Sequence, residues 1–211
     1  MHHRHALASA ALVFAAALLP AASQAQVTLV TAKINGDDQF KLYLSTDPTN
    51  DGFQFLNGYG WAATETGTVL LPIDPSSGLH FKDYWINIWV QDVGGGGPDV
   101  LGSFKLSGPG GCKFDNATNA LLTDATSGYW HVSKPTGWSA GGPPIPGFPF
   151  YVTNYTPPYF QPFNTPLDLG PNGTPPWGPM PGIPAAARWM SDPGQTNLSE
   201  VWYQAHFRCK K

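Results

Sequence analysis

The run Tyr84-Trp85-Ile86-Asn87-Ile88-Trp89-Val90 is apolar on nearly both faces of an extended chain, and such a strand needs cover on each side. It reads as a central strand of a β-sandwich. Its alternation offers two sets to the inter-sheet core, Ile86, Ile88 and Val90 or Trp85, Asn87 and Trp89. The first set is the expected one, because an inward Asn87 would need a buried hydrogen-bond partner. No long stretch after residue 26 has helical periodicity, whereas short β-branched and aromatic runs recur between Gly, Pro, Asn and Asp. The expected strands are Val27–Ile34, Gln39–Ser45, Thr68–Ile73, Tyr84–Val90, Gly102–Leu106, Trp130–Ser133, Ala186–Met190 and Val201–Arg208. Asn35–Asp38 and Gly94–Pro98 read as turns.

The first 25 residues have the layout of a secretory signal peptide: a basic start around Arg4, an apolar run from Ala6 to Leu19, and a small-residue end at Ser23-Gln24-Ala25. The apolar run is shorter than a bilayer span, and no later segment approaches that length. Residues 26–211 are then expected to form one secreted domain, large enough for a sizeable core. The full chain has a formal charge of −3, which becomes −4 for residues 26–211 once Arg4 leaves with the leader, and those residues hold no basic run. That composition argues against nucleic acid or a membrane surface as partner. Cys112 and Cys209 are the only cysteines, and with export to an oxidising compartment and no Cys-x-x-Cys pair they point to a disulfide rather than a metal site.

Composition shifts between about residues 135 and 184, where fifteen of the 22 prolines lie among glycines and large aromatics. Proline cannot donate to a ladder, so this stretch reads as an excursion rather than sheet. Its aromatics set it apart from a disordered linker, and it is expected to be an ordered loop packed over the sandwich.

The order of these pieces resembles the galactose-binding-like jelly rolls, lectin-like β-sandwiches found beside rhamnosidase-type glycosidases and in bacterial surface proteins. The residues that carry the resemblance are Asn35–Leu44, Asn87–Gly94 leading to Leu101–Leu106, Leu122-Thr123-Asp124 with Tyr129–Val132 and Pro135–Trp138, and the closing Ala187–Met190 and Tyr203–Arg208. The resemblance implies a jelly-roll sandwich with sugar contacts on its loops. The sequence departs from the pattern on loops, at Ser45–Trp61 and in the enlarged proline-rich excursion, so no binding residue is carried over from it.

Catalytic signals are lacking in the sequence. Glu65 and Glu200 are the only glutamates, and most aspartates sit in turn contexts where they bond their own backbone. There is no Gly-x-Ser-x-Gly elbow, and His80, His131 and His206 lack metal-ligand spacing. The expectation is a non-enzyme. No cofactor is implied beyond a structural calcium ion, for which Asp37, Asp38, Asp92 and Asp99 flank turns able to converge at one end of a sandwich.

What stands out is eight tryptophans, of which Trp61, Trp138 and Trp177 follow glycine- or proline-rich stretches. Flat aromatic faces of this kind stack on sugar rings, whose hydroxyls seek Asn, Asp and Gln. Trp138, Trp177 and Trp61, with Asn154 and Asn172, are therefore the candidate ligand-binding residues. The expected function is a non-catalytic carbohydrate-binding or adhesive sandwich with an extracellular glycan or a neighbouring subunit as partner. The alternative is a structural subunit of a fibre or matrix, assembled by strand exchange through the β-prone Gln26–Ile34 segment.

Overall fold

A computed structural model describes residues 26–49, 51–73, 81–93, 96–109, 111–133, 164–193 and 200–210. The proposed leader, Trp138, Asn154 and the excursion as far as residue 163 lie outside the described residues. The described chain is all β, in two antiparallel sheets. The first holds β1 (Gln26–Asp37), β4 (Glu65–Ile73), β6 (Asp99–Ser107), β10 (Leu167–Pro171) and β11 (Arg188–Ser191) in the order β10-β11-β6-β1-β4, with β8 (Ala120–Leu122) also on β6. The second holds β2 (Gln39–Ser45), β3 (Phe53–Tyr59), β5 (Phe81–Gln91), β7 (Lys113–Phe114) and β12 (Glu200–Lys210) in the order β3-β2-β5-β12-β7, with β9 (His131–Ser133) also on β12. Among the described strands, β2–β3 and β10–β11 are the consecutive pairs within one sheet, and the other successive strands lie in opposite sheets.

The core lies between the sheets and follows from strand alternation. Val30, Ala32 and Ile34 of β1 and Phe104 and Leu106 of β6 meet Phe40 and Leu42 of β2, Ile86, Ile88 and Val90 of β5, and Tyr203, Ala205 and Phe207 of β12. The inward set of β5 is thus the purely apolar one, and each such side chain contributes roughly 1.5–3 kcal/mol of burial. Asn87, on the opposite face, is fully buried as well. Its amide donates to Asp51 O at 3.0 Å and its oxygen accepts from Gln204 Nε2 at 3.0 Å. Phe40 fits close to two glycines: a Cβ on Gly36 would stand 2.9 Å from Phe40 Cβ, and one on Gly58 would overlap the ring. Cys112 and Cys209 are bonded, tying the segment before β7 to the end of β12 across 97 residues.

A second, smaller core covers the outside of the first sheet. Residues 172–187, which link β10 to β11, place Met180, Ile183 and Ala187 against Leu101 and Trp189, with Trp177 stacked on Trp189 at 4.5 Å between ring centroids.

Four sequence expectations need correction. Asn35–Asp38 is not a free turn: β1 continues to Asp37, paired with Asp99, and only Asp38 separates it from β2. Polar residues occupy a strand there because the ladder with β6 runs to its end. Ser45–Trp61 is not all loop, since β3 occupies Phe53–Tyr59. A bulge at Phe55 brings both Phe55 and Leu56 to the core and breaks the alternation by which the strand would be read. The proline-rich stretch contains β10, which proline tolerates because the strand lies on a sheet edge and Pro171 stands at its end. The short β7 and β8 escape pattern reading because two or three residues are too few to alternate.

Candidate functional site

Four sheet-changing connections, β1 to β2, β3 to β4, β5 to β6 and β11 to β12, meet at one pole of the sandwich. Three of them bring two carboxylates each: Asp37 and Asp38, Asp92 and Asp99, Asp192 and Glu200. Asp92, Asp99, Asp192 and Glu200 are buried and Asp37 and Asp38 half-buried. The chain's own N–H groups hold several of them. Val93 N donates to Asp38 Oδ2 at 2.9 Å, Gly97 N to Asp92 Oδ2 at 3.0 Å, Trp177 Nε1 to Asp37 Oδ2 at 2.8 Å, and Gln91 Nε2 to Glu200 Oε1 at 3.0 Å. These bonds close the connections much as Asx turns do.

Burial has an electrostatic consequence. Asp99 is pushed up to about 7, chiefly by loss of water and further by the charges of Asp37 and Asp92, against a hydrogen bond from Ser191. Asp37 is pushed up to about 6, again mainly by burial, with Asp38 and Asp92 adding to the rise and the Trp177 bond opposing it. Burial also raises the Tyr203 phenol well above its ordinary value, with Asp99 and Asp192 as further causes. Its hydroxyl donates to Pro98 O at 2.7 Å, bracing the β5–β6 crossing from β12.

Against this acidic corner stands an aromatic turn. Tyr59, the last residue of β3, is 63% exposed and Trp61 is 44% exposed. Gly60 between them takes a positive φ of 81°, a conformation suited to glycine. The turn is clamped from below: Gly60 N donates to Asp38 O, and Asn35 Nδ2 donates to Trp61 O at 2.7 Å and Ala63 O at 2.6 Å. The backbone that carries these two exposed rings is therefore held by Asn35 and by the Asp38 carbonyl. The amide oxygens of Asn35, Gln39 and Gln91 at this pole are buried without a hydrogen-bond partner, so acceptor capacity is in surplus.

No family description, curated protein or solved structure matches the chain.

The candidate residues read from the sequence fall in different places. Trp61 is on the exposed turn. Trp177 is half-buried, stacked on Trp189 and bonded to Asp37, so its ring is engaged within the molecule. Asn172 staples the same segment: its Nδ2 donates to Met180 O and Ile183 O at 3.2 and 2.9 Å, and its Oδ1 accepts from Met180 N at 2.7 Å. Asp37, Asp38, Asp92 and Asp99 do converge at one pole, and Asp37, Asp38 and Asp92 each give an oxygen to an N–H of the chain.

Tyr59 was missed because it belongs to the missed strand β3. The outward face of the second sheet was missed too. There Gln39, Gln91 and Glu200 form one rung across β2, β5 and β12, Lys41, Trp89 and Trp202 the next, and Tyr43, Asn87 and Gln204 a third. Lys41 Nζ lies 4.7 Å from the Trp89 ring centre. The alternation of Trp85, Asn87 and Trp89 was the available signal for this face. His206, which lacked any metal-like spacing, is held between Asp115 and Asp83 at 2.7 and 2.9 Å.

Proposed function

We propose that the protein is a secreted, non-catalytic carbohydrate-binding or adhesive β-sandwich that meets an extracellular glycan at its acidic pole. The observation that carries this reading is the turn Tyr59-Gly60-Trp61, whose two exposed rings stand on backbone held by Asn35 and by the Asp38 carbonyl. Aromatic faces accept the C–H surface of a sugar ring, while carboxylate and amide oxygens accept hydrogen bonds from its hydroxyls. Clamping by Asn35 and Asp38 lowers the ordering cost of binding, because the platform is held before the ligand arrives.

The resemblance to galactose-binding-like jelly rolls agrees with this reading, since sugar contacts in such sandwiches lie on loops at one end. Trp177 and Asn172 serve this surface by holding the β10–β11 segment against Asp37. Export and an intact disulfide go together in this reading. No specific observation favours strand exchange through Gln26–Ile34, because β1 is paired along its length between β4 and β6.

The test is a glycan array with the purified protein, followed by titration of any glycan bound. Replacing Tyr59 and Trp61 together with alanine is expected to weaken binding by about tenfold or more while the far-UV circular dichroism stays unchanged. An array without signal, or a double variant that binds as before, overturns the reading.

A further inference from the structure

The edges of the two sheets are not alike. Among the described strands, β7, β8 and β9 are edge strands of two or three residues, and β3 carries a bulge. The edge strand β10 carries a bulge as well, with Pro171 at its end and the Asp168–Arg188 ion pair beside it. Each of these features discourages an incoming strand. The remaining edge strand, β4, runs nine residues in unbroken register with β1 and holds no charge after Glu65. We propose that a second copy of this chain adds its own β4 to this edge, antiparallel, about a two-fold axis at Thr68.

The ladders fix which groups the edge offers. Leu106 N donates to Asn119 O and Thr123 N to Gly102 O, so even-numbered residues of β6 bond toward β8 and odd-numbered ones toward β1. With Thr31 opposite Lys105 and Val30 opposite Val69, β1 bonds to β6 through its odd positions and to β4 through its even ones. On β4, therefore, Glu65, Gly67, Val69 and Leu71 are bound to β1, whereas the N–H and C=O groups of Thr66, Thr68 and Leu70 point away from the sheet. Pro72, which has no N–H to offer, falls in the same outward set. Thr66 and Thr68 are exposed and Leu70 is 63% exposed, so this edge is open to solvent.

The sequence of the edge suits its own copy. A two-fold axis at Thr68 sets Thr68 against itself and Thr66 against Leu70 of the second copy, and each opposed pair exchanges two hydrogen bonds. Threonine opposite threonine is a favourable cross-strand pair, and Glu65 falls opposite Leu71, so no like charges meet. The alternation also carries across the junction. Val69 and Leu71 stay on the core side, while on the outer face Leu70 adjoins Leu29 and the exposed Val27, apolar area that the added strand helps to cover. Antiparallel pairing places the two acidic poles at opposite ends of the dimer. The inference does not depend on the glycan reading, because it uses neither the aromatic turn nor the carboxylates of that pole.

The test is analytical ultracentrifugation of the disulfide-intact protein over a range of concentrations, with amide hydrogen exchange read by NMR at both ends of the range. The expected result is a reversible dimer with a Kd below about 1 mM. In dilute protein the amides of Gly67, Val69 and Leu71 should be protected while those of Thr66, Thr68 and Leu70 exchange freely; in concentrated protein the second set should become protected. Thr68→Lys, which brings two ammonium groups to the axis, should weaken association by about tenfold or more, whereas Thr68→Val should keep it within about threefold. Leu167→Lys, on the opposite edge of the same sheet, should leave it unchanged. The same spectra report whether each variant is folded. A protein still monomeric at about 1 mM overturns the proposal. So do species larger than a dimer, outward amides already protected in dilute protein, a folded Thr68→Lys variant that dimerises as before, or a dimer lost in Leu167→Lys.

Discussion

At one pole of this sandwich the chain changes sheets four times within a small space, and the carboxylates that close three of those crossings are buried or half-buried among one another; at the other, a covalent bond does the closing and lysines remain at the surface. The first arrangement stabilises the crossings through N–H bonds to Asp38 and Asp92, at the cost of raising Asp37 and Asp99. The second needs no such compromise, because a disulfide carries no charge. Its local acid, Asp83, is instead held below the ordinary carboxylate range, first by the Arg208 hydrogen bond and then by His206, with burial opposing. The same residue type thus titrates in opposite directions at the two ends: burial, reinforced by like charges, dominates for Asp99 and Asp37, whereas the Arg208 hydrogen bond outweighs burial for Asp83.

The largest effect should come from cutting the covalent end. Replacing Cys112 and Cys209 with serine is expected to lower stability by about 4 kcal/mol, read from urea unfolding, because the bond closes a loop of 97 residues. If the loss is under about 1 kcal/mol, that pole is held by packing and the contrast with the acidic pole fails.

Midway between the poles, Ile88→Ala is expected to cost about 3 kcal/mol, since the side chain is fully buried in the inter-sheet core. A change near zero would mean that the core does not span the two ends as one unit.

A smaller effect sharpens the electrostatic side of the comparison. Asp99 and Asp37 are raised in the fold, so the native state holds protons that the unfolded chain releases at lower pH. Their contribution is complete at acid pH and is lost as pH rises through about 6 to 7. Asp83 works the other way, contributing at neutral pH and failing as pH falls below the ordinary carboxylate range. Stability should therefore be greater at about pH 5 than at about pH 8, and Asp99→Asn should remove about 2 kcal/mol of that difference. An Asp99→Asn protein with an unaltered pH profile would show that the acidic pole stores no such penalty.

The smallest stability effect is expected at the proposed binding turn. Tyr59→Ala with Trp61→Ala should change unfolding by about 0.5 kcal/mol or less, because both rings are exposed. A larger loss would make the turn a structural clasp of the acidic pole.

Several of these features were legible in the residues themselves. Tyr84–Val90 announced a doubly covered strand because its apolar residues alternate with large aromatics, and the cysteine pair had a single intramolecular solution. Other features were not. Phe53–Tyr59 lies on an edge, and a bulge at Phe55 that turns both Phe55 and Leu56 to the core breaks its period. Leu167–Pro171 hid behind its prolines, which an edge strand tolerates. Trp61, Trp177 and Trp189 looked alike as tryptophans, yet one is exposed on a turn, one is stacked and bonded to Asp37, and one is fully buried.

By itself, then, the sequence determined local matters: which runs extend, which face of β5 turns inward, and that one covalent link would be made. Those follow from side-chain period and residue chemistry within a few positions. Only the tertiary structure decided which turns share a pole. Asp37, Asp92 and Asp192 are far apart in the chain and come together because antiparallel strands that alternate between sheets return their ends to the same places. The aromatic turn held on Asp38 arises from that return, a property of how the strands connect that no local pattern carries.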